Sequence, residues 1–546
     1  MLFDYKYNGS TSVNNSANGT AMNFVPDTLR EPTFFVGKLN KKIAFREAIS
    51  SLHDVVVSDL RFKPKDKTEY KAWAAEQEKL WLSEFIANYE IDKVKARIDE
   101  LKQDLKVVYD EKSRVMGPFN QAKRKYFDYL YQNDKEAWYV LDPVITVHPD
   151  EVFFECFSQD ESSYGKLSCN YNVFTEINEF KCGTTNIDYS AELYGEFQKI
   201  RGYKDTQFTI DPSGFEAQTT NEAVYKEVKI DLPDSWVRGF LQVSSAMTLP
   251  ATVFDLHPMD IFSLCQFMRR FREKEGPRAL RFILEPGKPV KLVFEPWYET
   301  LVFHRSIYTG NESKTIRIWG RRRLFILERL IPIAKNFKVF LLGSGLPSFF
   351  LADLGDMTFT LGLSGWTTND WSHAGHFDLM APRGNVDLLT QQKVFSALKE
   401  KWFNTSDNLA AALNLDPSVV SSSLTAYTQA GRVIYDLKQG VYRVRELTQE
   451  PLDTKTLRFG SEQEKKANDI VDSGKISVTT QIENERLNIK GKIQLGNVNL
   501  KTLAVIDKDQ RLVDGACQCS FFASNGLKKG PCEHILATRI AFERSK

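Results

Sequence analysis

Chemistry is concentrated at the end of this sequence. Within the last thirty residues stand Cys517 and Cys519, then twelve intervening residues, then Cys532 and His534. Three thiols and one imidazole form one of the closed tetrahedral sets that hold structural zinc, so Zn2+ is the expected cofactor and no position is left open for catalysis. Alternate residues of a strand leave the same face, so a strand running out of residues 504–513 would aim Cys517 and Cys519 at one ion. Pro531 marks a helix start, whose positive end favours a thiolate at Cys532. Residues two apart in a helix point about 160° apart, because each step turns about 100°, so Cys532 must sit at the non-helical entrance for His534 to share its ligand. Gly526, Lys528, Lys529 and Gly530 make the connection a flexible, basic loop. A disulfide is disfavoured by seven sparse cysteines, an odd number, in so long a chain. Buried free thiols would leave a histidine two residues after the third cysteine unexplained.

Elements must position these ligands. Two strands, at 502–506 and 511–519, precede the first pair, and an apolar helix over 535–542 follows the second. This C-x-C, twelve-residue, C-x-H pattern resembles the SWIM-type zinc finger, a ββα unit covering about residues 490–546. The resemblance implies zinc held by Cys517, Cys519, Cys532 and His534 in a module that binds DNA or proteins. Upstream, residues 388–447 read as helix, capped helix, helix and hairpin. Thr405 to Asn408 is the cap signal, 414–417 the turn, Gly431 the helix stop, and 433–437 and 441–445 the strands. That order resembles a winged helix-turn-helix domain. Its second helix would turn Ser418, Ser421, Ser422, Thr425 and Gln429 outward, with no Arg or Lys to pair with guanine or grip phosphate. Arg432, Lys438, Arg443 and Arg445 lie near the hairpin. Together with Lys528 and Lys529, the first three of these are the candidate contacts to nucleic acid or a partner.

A long N-terminal part, a winged helix and a terminal finger in that order resemble a bacterial family of multi-domain SWIM zinc-finger proteins. Some members are encoded beside MoxR-type AAA ATPases and von Willebrand factor A proteins, and the resemblance implies protein partners of those kinds. The rest of the chain completes an α+β multidomain expectation: a helical N-terminal region over 1–135, a β-rich region over 136–381, the winged-helix-like domain and the finger. Residues 8–22, rich in Asn, Ser, Gly and Thr, predict a mobile loop. Residues 67–133 predict long helices, with Ile91, Val94, Ile98, Leu101, Leu105 and Val108 on one apolar face. Short alternating runs at 152–154 and 226–230 predict strands, 258–274 a helix, and 282–286 and 290–294 further strands. The basic run from Arg317 to Arg323 predicts a solvated rim beside a buried strand.

Composition sets the outer limits. Of 546 residues, 42% are hydrophobic and 12% aromatic, which is globular rather than disordered composition. Lys and Arg number 72 against 71 Asp and Glu, so any nucleic-acid binding must be local. No signal-peptide core or membrane-length apolar run is present, and a cytoplasmic protein is expected. Phosphate-loop, dinucleotide-binding and nucleophile-elbow patterns are absent; the Gly343-Ser344-Gly345 stretch lacks their spacing. Asp370, His373 and His376 would be the first suspects of an enzyme hidden in residues 140–380. Cys156, Cys169 and Cys182, thirteen residues apart, would be those of a second metal site. The expected function is a non-enzymatic adaptor, with a DNA-binding regulator as the alternative.

Overall fold

The computed structural model describes residues 12–15, 19–24, 33–58, 99–108, 110, 111, 114, 125, 143–177, 180–186, 191–203, 205–210, 234–271, 279–343, 347–365, 370, 371, 376–382, 386–447, 462–483, 486–495 and 498–545. By contacts the chain divides into a unit of residues 1–60 with 141–546 and a second unit of residues 61–140. In the second, residues 99–108 are helical, and Leu101, Leu105 and Val108 are exposed. Ile91, Val94 and Ile98, the remainder of the expected stripe, lie outside the described residues, as does the strand expected at 226–230.

The first unit begins with strands β1 (Ser12–Asn15), β2 (Gly19–Phe24) and β3 (Phe35–Leu39), then helix α1 (Lys42–Val56). There follow β4 (Val144–Val147), β5 (Glu151–Phe157), β6 (Ser163–Asn170), β7 (Phe174–Thr175), β8 (Gly183–Asn186), α2 (Ala191–Gln198) and β9 (Asp205–Ile210). Next come α3 (Asp234–Met247), β10 (Ala251–Leu256), α4 (Pro258–Arg270) and the meander β11 (Ala279–Leu284), β12 (Pro289–Phe294), β13 (Glu299–Ile307) and β14 (Lys314–Trp319). A 3-10 segment, Arg321–Leu330, leads to β15 (Asn336–Leu342), β16 (Ser348–Asp353) and β17 (Met357–Leu363). The chain continues through α5 (Leu388–Lys401), β18 (Phe403–Asn404), α6 (Ser406–Leu413), α7 (Pro417–Gln429), β19 (Val433–Asp436) and β20 (Val441–Val444). It closes with α8 (Glu462–Asp472), β21 (Ile476–Glu483), β22 (Arg486–Leu495), β23 (Val498–Ile506), β24 (Leu512–Cys517), α9 (Ser520–Asn525) and α10 (Glu533–Ser545).

The centre is an antiparallel sheet in the order β10-β15-β16-β17-β6-β5-β4-β8. Strand β5, EVFFECF, is buried along its whole length, so its alternate residues must each find a cover. Cys156 faces α1, its thiol donating to the Leu52 carbonyl at 3.6 Å, and Gly165 opposite it leaves room for Leu52 and Val55. Phe157 faces α3, against Phe240 and Trp236. Glu151 and Glu155 share the face of Phe157. Buried carboxylates there require cations, and the segment after α7 supplies them. Arg445 and Glu155 pair at 3.2 Å with neither side chain exposed, and Tyr164 donates to Glu155 at 2.7 Å. Arg443, also fully buried, holds Asp150 with two bonds of 2.9 and 3.0 Å, donates to Asp436 at 2.8 Å and stands 3.5 Å from Glu151. This network fastens residues 388–447 to the central sheet.

Several expectations are corrected. The N-terminal region is not wholly helical: β1 pairs with β2, β2 runs parallel to β9, and β3 joins the same sheet. A main-chain ladder needs backbone groups rather than apolar side chains, so the largely polar stretches 12–15 and 19–24 form it. The solvated arginine rim holds for Arg317, whose side chain is 43% exposed, and is overturned for Arg321 and Arg323. Arg321 and Arg323 are each 1% exposed. Arg321 donates to the carbonyls of Ala279 and Glu295 at 2.9 and 2.6 Å; Arg323 donates to those of Ser162 and Gly365. Each guanidinium thus bridges two backbone carbonyls from different segments, and the second lone pair of a carbonyl such as that of Ala279, which also accepts the Glu295 amide, makes this possible. Finally, the C-terminal sheet has four strands, β21-β22-β23-β24, rather than two.

Candidate metal centre

The C-terminal sheet places the first two donors. Glycine at 515 lets β24 lie against β23 and α10: a Cβ there would meet the Leu503 carbonyl oxygen at 2.9 Å and Ile535 at 3.2 Å. Glycine at 491 does the same beneath α10, where Thr502 and Thr538 meet at 2.6 Å. Strand β24 ends at Cys517, so the expected shared strand face does not exist. Cys519 instead caps α9, its sulfur accepting from the Phe522 amide at 3.4 Å, while Cys517 sulfur accepts from the Cys519 amide at 3.5 Å. The connection expected as a flexible loop thus contains a short helix. Cys532 stands just outside α10, its carbonyl accepting from the Leu536 amide at 3.1 Å, and His534 is in the first turn. That is the non-helical entrance the angular argument requires.

The donor atoms of Cys517, Cys519, Cys532 and His534 all lie within 4.8 Å of one another. Ligands about 2.3 Å from a tetrahedral ion stand about 3.8 Å apart, so the group has the size of a zinc shell. Its electrostatics agree. The Cys532 thiol donates to Cys517, and His534 and the Cys519 amide add to this, holding the Cys517 thiol down at about 4 against burial. The same contact with Cys517 raises the Cys532 thiol well above its ordinary range, with burial adding to it; burial also raises Cys519. His534 is raised by Cys517. The Nδ1 atom of His534 is buried without a hydrogen-bond partner, and the Glu533 carboxylate stands 3.7 Å away. The donor set and the orphaned nitrogen fit a metal ion, zinc before others.

The unit is not free-standing. Leu536, Ala537 and Ile540 of α10 share a core with Ile493, Ala467 of α8, and Leu379. Arg539 donates to the carbonyls of Leu379 and Gln510 at 3.3 and 2.9 Å, and Arg511 to that of Thr248 at 2.9 Å. The His376 amide donates to the Lys529 carbonyl at 3.1 Å. A Cβ on Gly530, whose φ is +90°, would meet the His376 carbonyl oxygen at 2.4 Å.

The other sequence candidates fall elsewhere. Arg443 has no exposed side-chain surface to offer a phosphate. Arg432 is tied to Glu446 and lies 4.4 Å over the Phe395 ring. Lys438 donates to Thr358 at 2.7 Å and faces Asp353 at 3.5 Å. Lys528 and Lys529 are half-buried on the inter-ligand loop. Ser422 and Thr425 of α7, expected to face outward, are 6% and 4% exposed: α7 lies against α3, and Gln429 donates to the Asp378 carbonyl at 2.9 Å. His376 is buried, which lowers its pKa; His373 lies outside the described residues. Cys156 and Cys169 are buried free thiols, Cys182 is half-buried, and burial raises all three. Among the described residues the four C-terminal donors are the one group placed to hold a metal.

Fold and site together define a mixed helix-and-sheet protein with a C-terminal Cys3His cluster. No family model matches the chain, and no curated protein matches it. Among solved structures, the crystal structure of Proliferating Cellular Nuclear Antigen from Entamoeba histolytica is similar over 41% of this chain and 88% of that one, at 12% identity and a TM-score of 0.27. A score of that size is too low to define the fold of this chain. No helix among the described residues is long and apolar enough to cross a membrane.

Proposed function

We propose that this chain is a non-enzymatic interaction protein whose C-terminal SWIM-type finger is built by one structural zinc ion. The observation that carries the reading is the convergence of four donors within 4.8 Å, from two segments separated by twelve residues. A closed donor set leaves no site for substrate on the metal, so zinc would supply folding energy and a fixed surface. The order α5-β18-α6-α7-β19-β20, with Thr405 and Asp416 as N-caps, supports a winged helix at 388–447. Burial of Ser422 and Thr425 against the rest of the unit, and of Arg443 among carboxylates, favours a structural role for it over reading DNA. Partners of the kinds the resemblance implies, a AAA ATPase or a von Willebrand factor A protein, are the first to seek by co-purification. The deciding experiment is metal analysis of the purified chain. About one zinc per chain is expected, and its loss in the Cys517→Ser, Cys532→Ser double variant; unchanged zinc in that variant sinks the assignment.

A further inference from the structure

The C-terminal sheet ends on one side at β21, and among the described residues no strand pairs with its outer edge. Such an edge presents unpaired N–H and C=O groups, which proteins blunt with lysine, proline, a bulge or a very short strand. Strand β21 has none of these devices: it reads ISVTTQIE over 8 residues and pairs with β22 without a register shift. Thr479 to Glu483 are exposed, and Ile482, at 76%, lies on the sheet face that α10 covers further along. The ladder decides which backbone groups point outward. The Lys475 carbonyl accepts from the Gln494 amide at 2.9 Å, so Lys475 and every second residue after it turn toward β22. The N–H and C=O groups of Ile476, Val478, Thr480 and Ile482 therefore turn to the open edge.

We propose that β21 pairs antiparallel with β21 of a second copy of this chain, joining two C-terminal sheets into one. Outward groups must meet outward groups, so these alternate residues pair with one another, and full overlap puts the twofold axis at Thr479. In that register Ile476 stands opposite Ile482 of the second copy and Val478 opposite Thr480, so every outward N–H and C=O from Ile476 to Ile482 finds a partner. The side chains agree. On the α10 side the isoleucine pairs cover the exposed Ile482. On the other side Thr479 meets Thr479, Ser477 meets Gln481, and the exposed Lys475 meets Glu483, which sets opposite charges together at both ends. Glu483 uses Oε2 to accept from Asn488 at 3.2 Å, which leaves Oε1 for the lysine. The segment from Lys475 to Glu483 is its own complement when reversed, and this matches the edge to a second copy rather than to an unrelated strand. The pairing is isologous, so it closes at two copies and consumes the edge in both. None of the four metal donors takes part.

The test is sedimentation velocity of the full chain from about 1 to about 100 μM, where the mass should rise with concentration from 62.6 kDa toward twice that value. Thr480→Pro removes an amide that points to the open edge, so it should abolish the dimer and leave the thermal midpoint at the lowest concentration unchanged. Lys475→Glu should weaken the dimer about tenfold by opposing like charges at both ends, and adding Glu483→Lys should restore it. Thr479→Cys puts two thiols in a non-hydrogen-bonded pair with Cα atoms about 4.5 Å apart, within disulfide reach, and mild oxidation should link the copies. Ser477→Cys, which faces Gln481 of the second copy, should not. The proposal is overturned by a parent chain that stays monomeric at the highest concentration, by a dimer that survives Thr480→Pro, by a charge swap that restores nothing, or by Ser477→Cys linking as well as Thr479→Cys.

Discussion

Replacing Arg443 by Met separates an internal brace from a nucleic-acid contact, the two roles this residue could have. The guanidinium is fully buried and faces Asp150, Asp436 and Glu151; the side chains of the last two are 9% exposed, and that of Asp150 is 26% exposed. Removing one member of a buried ion pair costs about 3–5 kcal/mol, because the other charge is left uncompensated. Here two carboxylates lose a buried partner while water reaches the third, which places the expected loss at about 4 kcal/mol at pH 7. The pH dependence has a definite sign. Burial raises Asp436, but Lys166 and Arg443 outweigh it and hold the group below its ordinary 3.8. Its ionised form therefore contributes stability that is present above 3.8 and lost as pH falls through the lower folded value. Without Arg443 burial regains weight, Glu151 is already raised by burial, and the gap between the variant and the parent should narrow as pH approaches 3. Urea unfolding followed by tryptophan fluorescence reads this, with Trp402 5.2 Å from the His148 ring as a nearby probe. A loss below about 1 kcal/mol, or a gap that does not change with pH, refutes the brace. Intact stability with weakened nucleic-acid binding would restore the phosphate contact.

Chelating the metal should expose amides of residues 515–534 to hydrogen exchange while the central sheet stays protected, since the sheet has its own core; loss of protection throughout the chain would contradict this. Zinc binding at pH 7 should release protons, because Cys519, Cys532 and His534 are all raised in the metal-free cluster, and affinity should fall with falling pH; an indicator dye in weak buffer measures the release. Gly515→Ala should destabilise the C-terminal sheet by about 1–3 kcal/mol and lower its zinc content, since the new methyl must displace a main-chain oxygen. Unchanged metal binding and melting in that variant would mean that the strands shift freely.

The Cys3His cluster was readable in the sequence because its signal is chemical and local: four donors at fixed spacing, with the helix entrance at Cys532 following from a turn of about 100° per residue. The cap at Thr405 was readable for the same reason, being completed within three residues. What escaped was decided at long range. Arg443, Arg445, Arg321 and Arg323 look like surface cations in their own segments, and their partners stand on other elements, up to 293 residues away for Asp150. Nothing near Ser422 or Thr425 announces that α3 covers them. The strands at 12–15 and 19–24 escaped because backbone pairing leaves little trace in side-chain polarity, and β21 and the start of β22 because the resemblance at 490–546 begins after the one and within the other.

The pairing of Glu155 with Arg445 spans 290 residues, and this bears on how the protein is made. At about 5–20 residues per second, a ribosome needs roughly 15–60 s to pass from one partner to the other. During that interval the nascent β5 carries Glu155 without Arg445 and Glu151 without Arg443, and a closed central sheet would bury the two carboxylates with Lys166 of β6 as their nearby cation. The sheet must wait open, or hold these residues protonated, until the segment after α7 emerges. A chain released before residue 443 has every strand of the central sheet and lacks both arginines that pair with the carboxylates beneath it.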